Sequence, residues 1–346
     1  MANKINKKDT VKFLEQWAKE YSIYVPTSVK DTTEMKIWDG KDTGFLDWYR
    51  NTRVPAKNVF FPLVEEMFHY AKDKDGYHLK TPAAANDKKL IFGIRPCDAA
   101  ALTTLDLAFK EGYEDPYYQE KRQNTILVGL ACTKPYDTCF CTSVESSPAD
   151  SRNVDVMLTD IGDHFLVEAV TDKGKELLSK TTGLADAGEA DRNKAKNAIE
   201  EAQKKITRQV KVKEAVKKLH GIFEDKEYWE KISNKCVSCG ICTFLCPTCF
   251  CFDIVDETEK GKSKRVRCWD SCQFPTYTRM PMENPREEKW RRVRQKVSHK
   301  YLFFPMTYDN KVACTGCGRC IRLCPVNWDI TQVLNNVPEK ELVEKK

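Results

Sequence analysis

Two stretches of the chain carry the same cysteine pattern. Residues 236–247 read CVSCGICTFLCP and residues 314–325 read CTGCGRCIRLCP, each with the spacing C-x2-C-x2-C-x3-C-P. Three thiolates two residues apart let one tight loop wrap three irons of a cubane, and Gly240, Gly316 and Gly318 allow the backbone to come close. The fourth cysteine comes three residues later and points away, and in two-cluster ferredoxins it serves the other cluster. The spacing therefore assigns Cys236, Cys239, Cys242 and Cys324 to one [4Fe-4S] cluster and Cys314, Cys317, Cys320 and Cys246 to a second. Zinc sites use C-x2-C pairs but have no need of three cysteines in a row followed by C-P.

These runs account for only half of the 16 cysteines in 346 residues. In a reducing compartment disulfides are a poor use for so many thiols, which leaves metal or redox chemistry. The remaining eight fall into two quartets. Cys97, Cys132, Cys139 and Cys141 lie in GIRPCDAAAL and ACTKPYDTCFC; Cys249, Cys251, Cys268 and Cys272 lie in PTCFCFD and RCWDSC. Both contain Thr-Cys-Phe-Cys, and a C-x-C pair brings two sulfurs close. The members of the first quartet follow predicted strands, where ligand sites of open α/β sheets gather. Each quartet is read as either one further cluster or inert thiols, with Asp253 or Asp270 as alternative fourth ligands in the second. Two [4Fe-4S] clusters are expected, with room for one or two more.

Around these motifs the chain reads as α+β, an N-terminal α/β domain followed by an α-helical ferredoxin-like domain carrying the two [4Fe-4S] motifs. Apolar runs at 89–95 and 125–131 enclose a helical stretch at 98–109, which predicts a partly parallel sheet. Segments 154–159 and 164–170 read as a β-hairpin about Gly162, and residues 7–21 as an amphipathic helix. Residues 189–219 are rich in Lys, Ala, Glu and Gln without Pro or Gly, and read as one or two solvated helices. The expected boundaries are 1–182 for the α/β domain with four cysteines, 183–228 for a helical linker, 229–335 for the ferredoxin domain and 336–346 for a tail. The 67 residues between the motifs, 247–313, are too many for the compact ferredoxin hairpin fold and are read as helical.

Several function classes find no support. The longest apolar stretch, residues 126–132, is far short of the roughly 18 a membrane-spanning helix needs, and no apolar signal region opens the chain, so a cytoplasmic protein is expected. No Gly-rich nucleotide loop or H-E-x-x-H motif occurs. The five histidines, His69, His78, His164, His220 and His299, form no constellation and are read as surface or core residues. A net charge of +6 is too mild to imply nucleic acid unless concentrated. Residues 286–300 do concentrate it, with seven Lys or Arg against two Glu, and are read as a helix with Trp290, Val293 and Val297 inward and a basic solvated side.

Taken in order, GIRPCDAAAL, CTKPYDTCFCTS, CVSCGICTFLCPTCFCFDIVD, RCWDSC and CTGCGRCIRLCP resemble the β subunits of cytoplasmic sulfhydrogenases and the A-type subunits of anaerobic sulfite reductase. The ferredoxin part also resembles the cluster domains of heterodisulfide-reductase and fumarate-reductase iron–sulfur subunits. The resemblance implies a non-catalytic electron-transfer subunit of an anaerobic oxidoreductase. Its partners would be a flavin-containing NAD(P)H- or ferredoxin-linked oxidoreductase subunit together with a catalytic reductase or hydrogenase subunit, with no nucleic acid and no membrane span. Cys268 departs from it, because a non-cysteine residue is expected before Trp-Asp-Ser-Cys. The rival readings are a substrate-reducing cluster in the first quartet and a nucleic-acid-binding iron–sulfur protein that uses residues 286–300.

Overall fold

The computed structural model describes residues 2–30, 32–41, 44–81, 87–259 and 262–339. The tail expected at 336–346 lies outside them from residue 340 onward. The strands, in chain order, are β1 (Ala2–Asn6), β2 (Ser22–Val29), β3 (Thr32–Ile37), β4 (Val64–Asp73), β5 (Gly76–Lys80), β6 (Lys89–Ile94), β7 (Thr125–Leu130), β8 (Val156–Asp160), β9 (His164–Ala169), β10 (Ala185–Asp186), β11 (Phe252–Glu259) and β12 (Lys262–Trp269). The chain divides into two compact units. One comprises Met1–Phe60, Ala85–Arg208 and Thr315–Cys317; the other comprises Phe61–Ala84, Gln209–Cys314 and Gly318–Lys346.

The first unit is built on an eight-stranded sheet in the order β10-β1-β9-β8-β7-β6-β2-β3. Its centre is parallel: β6 pairs with β2 and β7, and β7 with β8, while the outer pairs are antiparallel. All six residues of β6 (KLIFGI) and of β7 (TILVGL) are buried, as strands covered on both faces require. The crossover between them is helical, Pro96–Ala108 and then Pro116–Gln123, each opened by a proline at a first-turn position where no backbone N–H is needed. The expected hairpin is β8–β9, turning at Gly162 with φ +104°. Because β6 and β7 run the same way, the segments beginning at Arg95 and Ala131 leave the sheet at the same edge.

The second unit joins helices to a four-stranded antiparallel sheet, β11-β12-β4-β5. Here the expectation of helices throughout 247–313 is corrected, since β11 and β12 form a hairpin within that segment. The acidic β11 and the basic β12 pair across the strands: Arg265 donates to both carboxylate oxygens of Asp256 at 2.8 and 2.7 Å, and Lys264 lies 3.3 Å from Glu257. Below them Arg267 donates to the Glu65 carboxylate of β4, with both side chains buried. Its guanidinium also faces the Phe61 and Phe252 rings at 5.2 and 5.5 Å.

The basic segment is a helix, Lys289–Ser298, continued by a π-helical turn, His299–Phe303. Trp290, Val293 and Val297 are buried as expected, but the basic side is not solvated as a whole: Arg292, Lys296 and Lys300 are also buried. Lys296 and Lys300 point inward among cysteines, whereas Arg286, Lys289, Arg291 and Arg294 keep partial access to solvent. Among the described residues no helix is long and apolar enough to cross a membrane.

Removing one partner of a buried ion pair strands the other charge. Glu65→Ala is therefore expected to destabilise the second unit by about 3–5 kcal/mol, read as a lower denaturant midpoint, whereas a surface change such as Glu257→Gln stays within about 0.5 kcal/mol.

Candidate metal centres

The two motifs adopt one local conformation. Gly240 and Gly318, with φ +75° and +72°, each open a single-turn helix, Ile241–Phe244 and Arg319–Arg322, that carries the third cysteine of its run. Backbone amides approach the sulfurs in both: Ser238 N donates to Cys236 Sγ at 3.4 Å and Trp328 N donates to Cys324 Sγ at 3.2 Å. A cavity of about 420 Å³ in the second unit is lined by Cys236, Cys239, Cys242 and Cys324, with Cys320 and Lys296 beside them. So Cys324, from the second motif, shares a cavity with the leading cysteines of the first. Cys246 of the first motif stands with the second, because Cys246 and Cys314 both act on Lys300 and on the Tyr301 hydroxyl.

Buried cations set the electrostatics. Lys300 Nζ donates to Cys246 Sγ at 3.2 Å, Thr248 Oγ1 at 2.9 Å and the Ala313 carbonyl at 3.1 Å. Burial alone would pull its pKa down, but Cys246, Cys249 and Cys314 outweigh burial and hold it well above the usual lysine range. Lys296 behaves alike: burial opposes its charge and Cys242 and Cys320 restore it, with the Trp328 ring 4.3 Å away. Among the described residues no carboxylate pairs with either lysine. The thiols also oppose one another's ionisation. Cys249 is raised well above its usual range by its hydrogen bond to Cys246 and by burial, and Cys272 by its hydrogen bond to Cys251 and by burial.

The first quartet converges. Cys97, Cys132, Cys139 and Cys141 line one cavity of about 420 Å³ in the first unit. Arg95 builds it by tying the ends of the two central strands together. Its Nη1 donates to the carbonyls of Leu130 and Ala131 at 3.0 and 2.7 Å, its Nε to Arg50 O at 2.6 Å and its Nη2 to Tyr49 O at 2.7 Å. Among the described residues only neutral groups hold this buried guanidinium, and it too lines the thiol cavity. Burial, then Cys139 and Cys132, push the Cys141 thiol up to about 12. The same unit holds Gly316, whose carbonyl accepts from Phe140 N at 2.8 Å, and the Cys139 thiol reaches the Cys317 carbonyl at 3.7 Å.

The second quartet does not stay together. Cys249, Cys251 and Cys272 line a cavity of about 320 Å³ with Lys296, His299 and Lys300. Cys268 is absent from it. It sits on β12 between the buried Arg267 and Trp269, so strand alternation turns it outward, opposite Asp253, whose carbonyl accepts from its thiol at 3.8 Å. Asp253 and Asp270 do not line the cavity either. The residue that does is His299, which the sequence pattern left among the surface or core histidines. Its signal was the spacing of Lys296, His299 and Lys300, which places all three on one face of a helix.

Among the described residues no group of three or more His, Cys, Asp or Glu side chains is arranged for a single metal ion. The donor chemistry fits a polynuclear iron–sulfur group instead. The donors are soft sulfurs in cavities, each iron of a cubane takes its own thiolate, and the surrounding cations need an anionic neighbour.

Residues 235–328 match the 4Fe-4S dicluster domain family. The chain is 29% identical to sulfhydrogenase 2 subunit beta of Pyrococcus furiosus over 319 residues, covering 92% of each protein. No solved structure matches the chain. The resemblance carried by the motifs is borne out: the chain is similar over 92% of its length to a sulfhydrogenase subunit beta, and its residues 235–328 match a 4Fe-4S dicluster domain.

Gly316 tests the packing of the first unit. It has φ +64°, and a Cβ there would stand 2.5 Å from Cys141 N and 2.6 Å from Cys141 Cα, backbone atoms that cannot step aside. Gly316→Ala is expected to cost about 2–4 kcal/mol from strain and overpacking, read as a lower unfolding midpoint and as loss of any metal held by Cys139 and Cys141.

Proposed function

We propose that the chain relays single electrons through several [4Fe-4S] clusters within a larger oxidoreductase, between a flavoprotein partner and a catalytic subunit, and performs no bond chemistry of its own. The observation that carries this reading is that Cys324 lines one cavity with Cys236, Cys239 and Cys242, while Cys246 and Cys314 both act on Lys300. This exchange of fourth cysteines between motifs is the arrangement of two-cluster ferredoxins, in which neighbouring clusters pass electrons. The proposed ligand sets are Cys236, Cys239, Cys242 and Cys324 for one cluster and Cys314, Cys317, Cys320 and Cys246 for the other. Cys97, Cys132, Cys139 and Cys141 are proposed to hold a third, supported by their common cavity and by Arg95, a buried cation that no described carboxylate pairs with.

When bound, the clusters supply one-electron chemistry; the chain tunes it. Amides of Ser238 and Trp328 donate to ligand sulfurs, and Lys296 and Lys300 place positive charge beside them, all of which favours the more negative, reduced state. The reading of a donor and an acceptor subunit is supported by the resemblance to a sulfhydrogenase subunit beta, itself named as part of a larger assembly.

Anaerobically purified protein is expected to contain at least about 12 irons with matching acid-labile sulfide, and Cys97→Ser to lose about four of them. About eight irons, unchanged in Cys97→Ser, would remove the third cluster, and zinc without sulfide would overturn the reading altogether. Lys300→Met should lower the midpoint potential of a motif cluster by on the order of 100 mV, since a unit charge a few ångströms away at an effective dielectric near 20 is worth about 2–3 kcal/mol. A redox titration followed by EPR reads this directly.

A further inference from the structure

We propose that Cys249, Cys251, Cys272 and His299 form a fourth iron–sulfur ligand set, in which an imidazole takes the place of the fourth thiolate. The inference rests on the iron–sulfur reading of the chain and adds a centre outside its ferredoxin motifs.

The three cysteines are brought together by the backbone. Cys249 and Cys251 lie in one loop, and Asp270 N donates to the Cys251 carbonyl at 3.0 Å, which draws the segment carrying Cys272 against that loop. Cys251 and Cys272 are within hydrogen-bond reach of each other, and Cys251 also acts on Cys249. Gln273 Nε2 donates to Cys272 Sγ at 3.5 Å and is anchored by the Arg292 carbonyl at 2.8 Å, a polar support of the kind that orients metal ligands.

His299 comes from a separate element that lines the same cavity. The helix Lys289–Ser298 gives way at this residue to a π-helical turn, a distortion that often marks functional positions. The turn sets His299 into the cavity between Lys296 and Lys300, with the Phe250 ring edge-on at 5.4 Å. No described residue hydrogen-bonds its ring. Lys296 and Lys300 line this cavity too, and two ammonium groups beside three thiols suit an anionic occupant.

Cys268 is the alternative fourth ligand, and its outward position on β12 argues against it. A histidine-ligated cluster carries less negative charge than an all-cysteine one and so has the higher potential. Among the clusters of this chain it would be the first reduced.

The test uses full-length protein purified anaerobically after growth with ¹⁵N-histidine, reduced and examined by pulsed EPR, with iron counted alongside. A strongly coupled imidazole nitrogen is expected on the highest-potential cluster. His299→Cys should lose that coupling, keep about 16 irons and lower that potential; Cys272→Ser should lose about four irons, and Cys268→Ser none. Absence of imidazole coupling in the unaltered protein, which needs no variant to fold, would overturn the proposal. So would coupling that survives in His299→Cys, or four irons lost from Cys268→Ser. If about 12 irons remain in these cases, the relay stands without this centre; about eight leave the two motif clusters alone, and zinc without sulfide removes the wider reading instead.

Discussion

Buried ammonium groups among buried thiols are the constraint on which the second unit depends. Lys296 and Lys300 have almost no access to water, and no described carboxylate pairs with either. Burying an isolated cation costs several kcal/mol, so an arrangement of this kind persists only if something anionic sits beside it. The Cys249 and Cys272 thiols are held well above their usual range by Cys246 and Cys251 respectively and by burial. A cluster core resolves both difficulties: its irons let every thiolate form, and the thiolates then satisfy the lysines. Arg95 in the first unit, held by four carbonyls in the lining of the thiol cavity, poses the same problem on a smaller scale.

Much of the fold was legible because it follows from short-range pattern. The continuous apolar runs of β6 and β7 can only be covered strands, and Gly162 marks the β8–β9 hairpin. The β11–β12 hairpin was missed because its signal is charge rather than hydrophobic alternation, an acidic run followed by a basic one, and it becomes a stable sheet only when Glu65 of a distant strand meets Arg267. A long-range partner of that kind leaves no local trace. Nor does local sequence say that Phe61–Ala84 belongs with the far later β11 and β12 rather than with its neighbours in the chain.

At the candidate sites, the cysteine spacing carried the two motifs, and the position of the first quartet after parallel strands foreshadowed its common cavity. Two features were hidden. Strand alternation, once β12 is known, turns Cys268 away from the other three cysteines. The inward face of the helix Lys289–Ser298 looked like a solvated basic surface because charge usually means exposure, whereas here the charge serves the interior. His299 was hidden for the same reason.

The central claim is that these lysines are buried to meet the charge of bound clusters. It is tested most directly by the unfolding midpoint of a Lys296→Met, Lys300→Met double variant, compared with the unaltered chain in both cluster-loaded and cluster-free forms. The account predicts opposite signs: the variant is less stable than the unaltered chain when loaded, because the clusters lose their cations, and at least as stable when cluster-free, because two stranded ammonium groups are gone. An equal loss of stability in both forms would contradict it, since the lysines would then be holding the polypeptide together whether or not clusters are present.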